Sequence, residues 1–357
     1  MGAPSSILIV RLSAIGDCIH ALPVLDALRR EFPEARIGWI VEELSAPLLQ
    51  NHPQLDQLYV IPKKRWKREK HRVFFSEIRP FFKKIKADGW NVAVDLQGLT
   101  KSGLVAWASG AKLRIGFANE QSREFNSWFM NKRISPGKEC VHVVEKNLSL
   151  ISGIKHLNSI QAVGKLGLLP AEKDEMRANL RSIGWDSKTP LAAINPGAGW
   201  PNKRWPTAYF AQLGTRFYHN GLIPLIFWGP GEESLRDEIT EQLRTDEIPH
   251  LVTPKTTVRE MAVLISVCSF YVGGDTGPTH LAGMLGIPCV ALFGASDGAR
   301  NRPWPIESST MLQRLDFACV PCWKRSCPLE GSAYMQCLNA LTVDQVWNAC
   351  LEILPKA

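Results

Sequence analysis

Short apolar runs that end in a turn and give way to helical spacing recur along this chain, and they restrict it to a narrow set of folds. Ile7-Leu-Ile-Val10 is continuously apolar and rich in β-branched residues, as expected of a strand buried on both faces of a parallel sheet. Ser13, Gly16 and Asp17 follow as a turn; Ile19, Leu22, Leu25 and Leu28 then carry helical spacing, with Pro23 an early interruption. Tyr271-Val-Gly-Gly-Asp-Thr-Gly-Pro-Thr-His280 repeats the pattern, with a helix opening at Thr276 or Pro278. So does Leu191–Ile194, followed by Asn195-Pro-Gly-Ala-Gly-Trp-Pro-Asn-Lys-Arg-Trp-Pro206, where Pro206 suits the first turn of a helix. Further strands are predicted at 36–42, 57–61, 91–95, 113–116, 223–228 and 288–293. Helices are predicted at 18–32, 73–87, 99–109, 142–154, 206–219, 232–244, 257–267, 277–286 and 343–354. This alternation predicts an α/β protein with doubly wound parallel sheets.

A chain of 357 residues, 45% hydrophobic and 21% charged, has the size of two globular domains and the composition of neither a fibrous nor a disordered protein. The irregular stretch 155–175 places a linker there, centred on 165–185, between domains at 1–170 and 185–340. No apolar run approaches the roughly 18–20 residues that span a bilayer, and the N-terminus lacks a secretory pattern, so a cytoplasmic location is expected. The net charge is +8, and Lys63–Arg72 holds seven Lys or Arg in ten residues. Phe74, Phe75, Ile78, Phe81, Phe82 and Ile85 follow at helical spacing. This segment reads either as a face for an anionic membrane surface or as a solvated basic loop before a helix packed on its own domain. With one basic patch and no recognised motif, nucleic acid is not expected as a partner. Cys319, Cys322, Cys327 and Cys337, spaced C-x2-C-x4-C-x9-C, are open to three readings: a structural zinc or other metal, disulfides, or free buried thiols. Cys18, beside Asp17, reads as packing.

The turns carry the chemistry. A helix N-terminus presents unpaired N–H groups and partial positive charge, which suits phosphate. Thr276 and Gly277 stand at one such terminus, with Asp275 at its mouth; the segment reads as a phosphate site or as an ordinary strand-to-helix turn with an Asp or Thr N-cap. The loop with Gly197 and Ala198, ending at Lys203, reads as a second phosphate cradle or as a basic surface loop. Neither a dinucleotide G-x-G-x-x-G after the first strand nor a P-loop is present, and no D-x-D occurs anywhere. Asp17 reads as a helix N-cap or as a functional carboxylate at the carboxyl edge of the sheet, where doubly wound domains bind ligands.

Taken together, the Ser13-x-x-Gly-Asp17 turn, the G-x-x-x-K-R-W-P ending at Pro206 and the Asp275-Thr-Gly-Pro-Thr-His280 segment resemble glycosyltransferase family 9, the ADP-heptose:lipopolysaccharide heptosyltransferases, over roughly residues 5–355. The N-terminal half is most similar to type I members, through Arg65-Trp-Lys-Arg68, Asp95-Leu-Gln-Gly-Leu-Thr-Lys-Ser102 and His142-Val-Val-Glu145. The P-G-A and K-R-W-P wording and the late cysteines are closer to general or type II members. The resemblance implies a GT-B fold, in which a C-terminal helix (341–357) often returns to the first domain. It also implies inverting transfer of heptose from ADP-heptose to a lipid A–Kdo acceptor, with no required cofactor and Asp17 as general base. On the donor side it implies Lys203, Asp275, Thr276, Gly277, Gly197, Ala198, His280 and, for the ribose, Glu232. Lys64, Arg65, Lys67, Arg68, Gln97, Lys101 and His142 would face the acceptor. A family 9 enzyme with another acceptor and a GT-B sugar-nucleotide epimerase are the alternatives; the basic segment argues against the epimerase, which needs no lipid acceptor.

Overall fold

The computed structural model describes residues 3–69, 73–118, 121–155 and 162–354. The chain divides into two compact units, Met1–Gly167 and Leu168–Ala357. The first is built on β1 (Ser6–Val10), β2 (Arg36–Glu42), β3 (Gln57–Ile61), β4 (Val92–Asp95), β5 (Leu113–Phe117) and β6 (Lys132–Ile134), in the spatial order β3-β2-β1-β4-β5-β6. The second uses β7 (Leu191–Asn195), β8 (Ile223–Ile226), β9 (Leu251–Val252), β10 (Phe270–Gly274), β11 (Cys289–Phe293) and β12 (Ser309–Gln313), in the order β12-β11-β10-β7-β8-β9. Every pairing is parallel, and the two sheets share one winding. β1, β7, β10 and β11 are buried at every position, which their unbroken apolar runs require of strands covered on both faces. Strand order reverses between β1 and β4, and again between β7 and β10. The loops leaving those four strands therefore open a crevice at the carboxyl edge of each sheet.

The structure departs from the sequence reading where apolar periodicity is weak or proline intervenes. The helix expected over 18–32 is two helices, Ile15–Ile19 and Leu22–Glu31, because Pro23 sits in the first turn of the second, where its missing N–H costs nothing. The helix expected over 142–154 gives way to a 3-10 turn at Leu150–Gly153. The stretch 165–185, read as linker, holds the helix Pro170–Ser182, which buries only Met176 and Leu180. Its Glu172 accepts from the Leu169 amide at 2.7 Å and pairs with Arg259 on the Val258–Ile265 helix at 2.7 Å. The helix Val343–Ile353 buries Val343, Val346, Ala349 and Cys350 in the second unit's core, beside Trp205, Phe210 and Phe217. Of the basic amphipathic segment, Lys70, His71 and Arg72 lie outside the described residues. Ile85 is buried in the first unit's core, with Trp66, Phe81 and Phe82 packed against it. The apolar face of that segment is thus spent internally, apart from Phe74 and Phe75, which are exposed.

One glycine in β10 shows how closely the second site is built. A Cβ on Gly274 would lie 2.4 Å from the Lys203 carbonyl oxygen, so the strand end presses directly on the backbone that carries Lys203. Gly274→Ala is expected to cost about 1–3 kcal/mol, read as a lower urea midpoint at unchanged slope.

Candidate active site

In the first unit the loops after β1 and β4 interlock. Arg11, just past β1, is 7% exposed. Its Nη1 donates to the Leu96 carbonyl, and its Nη2 meets Asp17 Oδ1 at 2.6 Å. Asp17 Oδ2 accepts from the Ala14 amide at 3.1 Å. The carboxylate therefore stabilises its own short helix and still presents a side chain 45% exposed. Gln97 Oε1 accepts from the Leu12 amide at 2.9 Å, so Gln97 braces the Asp17 loop. Lys101 Nζ lies 3.4 Å from Ser13 Oγ and 3.0 Å from Glu42 Oε1. Asp95, fully buried at the end of β4, shapes the loop that presents Gln97 and Lys101. It accepts from the Gln97 amide at 2.9 Å, Ser102 Oγ at 2.8 Å and Asn126 Nδ2 at 2.6 Å. Burial pushes its carboxyl up, only partly countered by those bonds.

Glu42, the last residue of β2 and 7% exposed, holds Lys63 at 2.8 Å with one oxygen and Lys101 with the other. Burial raises its carboxyl, but the hydrogen bonds and charges of the two lysines overcome this and leave it below its ordinary value. A depressed carboxylate contributes stability that is present above its unfolded pKa, about 4.3, and lost as pH falls through the folded value. Glu42→Gln should therefore cost about 1–3 kcal/mol at pH 7, a difference that closes as urea midpoints are followed below about pH 4.

Of the basic helix Lys63–Arg68, Arg65 pairs with Glu77 and Arg68 with Glu69, the latter at 2.6 Å. Lys64 and Lys67 are exposed, and among the described residues neither is ion-paired. His142 is 1% exposed. It caps the Val143–Ser149 helix, its Nδ1 accepting from the Val144 amide at 3.1 Å and its amide donating to Glu145 at 2.8 Å. Burial pushes the Cys18 thiol up to about 12, so it stays neutral, in keeping with a packing role.

In the second unit the loops after β7, β10 and β11 converge on Asp275, 7% exposed. Its Oδ2 accepts from Lys203 Nζ and Ser296 Oγ, each at 2.5 Å, and its Oδ1 lies 3.1 Å from His280 Nε2. Burial raises this carboxyl; the His280 hydrogen bond and the Lys203 ammonium outweigh it and hold the group well below the usual carboxylate range. Lys203 Nζ also sits 4.8 Å over the Trp200 ring. Asn195 Nδ2 donates to Thr276 Oγ1 at 3.2 Å, and Thr279 Oγ1 to the Gly274 carbonyl at 2.5 Å. These bonds fix the N-terminus of the Gly277–Met284 helix, whose first-turn amides have no acceptor within the helix. Arg204 clamps the Ala198 carbonyl at 2.8 and 2.9 Å. A Cβ on Gly197 would displace the Glu232 carboxylate from its present position; Glu232 Oε2 also accepts from the Gly229 amide at 2.9 Å.

The structure thus gathers Asp17, Gln97 and Lys101 at one crevice, and Lys203, Asp275, Thr276, Gly277 and His280 at the other, with Gly197, Ala198 and Glu232 on the neighbouring loops. Sequence reasoning missed Arg11, Glu42, Lys63, Asn195 and Ser296. All five end a strand or closely follow one at the carboxyl edge, and that position was the available signal. Cys319, Cys322, Cys327 and Cys337 line one cavity with Met335 and Asn202. All four are free thiols, so the disulfide reading does not hold. Among the described residues no group of three or more His, Cys, Asp or Glu is arranged to hold a metal ion. Nor is any helix among them long and apolar enough to cross a membrane.

Comparison with known proteins agrees with this fold. Residues 78–333 match the family model for glycosyltransferase family 9 (heptosyltransferase). Lipopolysaccharide heptosyltransferase 1 of Pseudomonas aeruginosa is 27% identical over 91% of this chain and 88% of its own. A family 9 glycosyltransferase structure from Veillonella parvula superposes with a TM-score of 0.81 at 22% identity, covering 98% of this chain and 97% of that one. The Escherichia coli heptosyltransferase WaaC, solved with ADP-2-deoxy-2-fluoro heptose, superposes with a TM-score of 0.74 at 22% identity over 97% and 99%. The fold is that of the GT-B transferases. The family match over most of its length, on two doubly wound units, places this chain in glycosyltransferase family 9, among the heptosyltransferase-type enzymes.

Proposed function

We propose that this enzyme transfers L-glycero-D-manno-heptose from ADP-heptose to the Kdo of the lipopolysaccharide inner core, with inversion at C1 in a single displacement. The observation that carries the reading is the half-exposed Asp17 carboxylate, oriented by Arg11 and the Ala14 amide at the crevice between β1 and β4. Asp17 takes the proton of the acceptor hydroxyl as that oxygen attacks C1. The bond from C1 to the diphosphate breaks, ADP leaves with the bonding pair, and the proton passes from Asp17 to water. Charge developing on the diphosphate meets Lys203 and the Thr276 and Gly277 amides, donors already in place before the reaction.

Gly197 and Ala198 line the loop beside the diphosphate, and Glu232 receives the ribose hydroxyls. Both oxygens of Asp275 are engaged, so its part is to orient Lys203, with Ser296 and His280 fixing Asp275 in turn. On the acceptor side Lys64, Arg65, Lys67 and Arg68 offer cations to lipid A phosphates and Kdo carboxylates. Lys101 and Gln97 stand at the reacting end, and buried His142 contributes through the helix it caps. The expected setting is cytoplasmic, peripheral to the inner membrane, where such an acceptor is presented.

The test is transfer from ADP-L-glycero-β-D-manno-heptose to Kdo-lipid A. A heptosylated product supports the reading. Donor binding without product removes the acceptor assignment and makes an already heptosylated core the next acceptor to try. No donor binding removes ADP-heptose itself.

A further inference from the structure

A second surface of the first unit carries chemistry that the transfer reaction does not use. On the helix Thr100–Ala108, Thr100, Leu104 and Trp107 recur at i, i+4 and i+7 and share one face. Leu104 is 48% exposed and Trp107 57%. The 3-10 turn Asn126–Phe129 lies against this helix at Gly103, where a Cβ would come within 2.9 Å of both Asn126 Nδ2 and the Phe129 ring. The Phe125 amide donates to Thr100 Oγ1 at 3.1 Å, which sets Phe125 at the head of the same stripe. Phe125 and Trp128 are 57% and 75% exposed, with ring centroids 4.9 Å apart. Single exposed apolar side chains are ordinary; two tryptophans, a phenylalanine and a leucine on one contiguous patch are not.

The rim of this patch is cationic. Arg114 Nε donates to the Phe129 carbonyl at 2.7 Å, and Arg133 Nε to the Ser127 carbonyl at 3.1 Å. Both guanidinium groups are thus tied to the turn that carries Trp128, and among the described residues neither is ion-paired. Arg133 is exposed. Glu124, the nearby acid, accepts from the Thr100 amide at 3.0 Å at the helix N-terminus, where its charge is offset by the helix dipole. Flat amphipathic rings bordered by two guanidinium groups match the headgroup boundary of a bilayer, where indoles concentrate and anionic phosphates await cations.

We propose that this patch docks the first unit on an anionic lipid bilayer, with Trp107 and Trp128 inserted at headgroup depth and Arg114 and Arg133 on lipid phosphates. The test involves no sugar, so its failure and the failure of the proposed transfer are separate results. The full chain is sedimented with vesicles of phosphatidylcholine plus phosphatidylglycerol, and with phosphatidylcholine alone. Binding that requires phosphatidylglycerol, weakens with salt and falls by about tenfold or more in Trp107→Ser/Trp128→Ser supports the proposal. Circular dichroism and the urea midpoint certify that the variant is folded. Arg133→Glu, on an exposed edge strand, tests the electrostatic half and should weaken binding to the anionic vesicles alone. If wild type stays in the supernatant with anionic vesicles, the proposal is overturned. It also fails if the double variant binds like wild type, which would assign the binding to the Lys63–Arg68 helix. It fails equally if wild type self-associates through the patch and the double variant is monomeric.

Discussion

Asp17→Asn is expected to lower kcat for heptosyl transfer by about 100- to 10,000-fold, the range over which a positioned general base contributes, while donor binding is unchanged. The split follows from where the groups sit. Asp17 belongs to the first unit, whereas the lysine, the helix N-terminus and the loops proposed to hold the donor belong to the second. The substitution changes one oxygen, yet it removes both the proton acceptor and the counter-charge of Arg11. An amide NH2 would face either the Arg11 guanidinium or the Ala14 amide, donor against donor. Some loss of loop order is therefore expected, and thermal unfolding of the variant should be followed beside its kinetics. Single-turnover transfer and calorimetric titration with ADP-heptose separate the two effects. A variant that binds donor and keeps kcat to within about tenfold of wild type would remove Asp17 from the role of base.

What the sequence disclosed, and what it withheld, follows one physical division. Asp17, Lys203 and Asp275 could be read because each stands where a fully buried strand ends and glycines open a turn, a pattern written in consecutive residues. The partners that make these groups useful are set by contacts distant in sequence. Arg11 reaches Leu96 as well as Asp17; Glu42 gathers Lys63 and Lys101; Ser296 and Lys203 meet on Asp275. No periodicity announces such pairs, though a charged or polar residue at the carboxyl end of an apolar strand is a place to look. The missed elements have a different cause. β6 is three residues with two exposed, and Pro170–Ser182 turns only two side chains inward. Neither buries enough apolar surface to impress a period on the sequence. The four late cysteines were noticed for their spacing, and the structure brings them to one cavity; spacing in sequence did not say whether the thiols were paired.

Lys203 and Asp275 should behave as a coupled pair whose two readouts diverge. Lys203→Met removes the cation proposed for the diphosphate and should slow transfer by about 100- to 1,000-fold. Its stability cost is the smaller one, because Asp275 keeps Ser296 and His280 as partners. Asp275→Asn does the reverse: it leaves an ammonium only 17% exposed without its counter-charge, at a cost of about 3–5 kcal/mol in urea unfolding at pH 7. Because burial is outweighed and the Asp275 carboxyl is held low, that stability is fully present above the unfolded value of about 4 and disappears only as pH falls beneath it. The double variant, with neither charge, should recover about 1–3 kcal/mol relative to the sum of the singles, yet transfer no faster than Lys203→Met. Strict additivity in stability would mean that the 2.5 Å contact is not maintained in solution. Recovery of transfer in the double variant would mean that Lys203 matters only as the partner of Asp275, and the diphosphate would then have to be stabilised by the Thr276 and Gly277 amides alone.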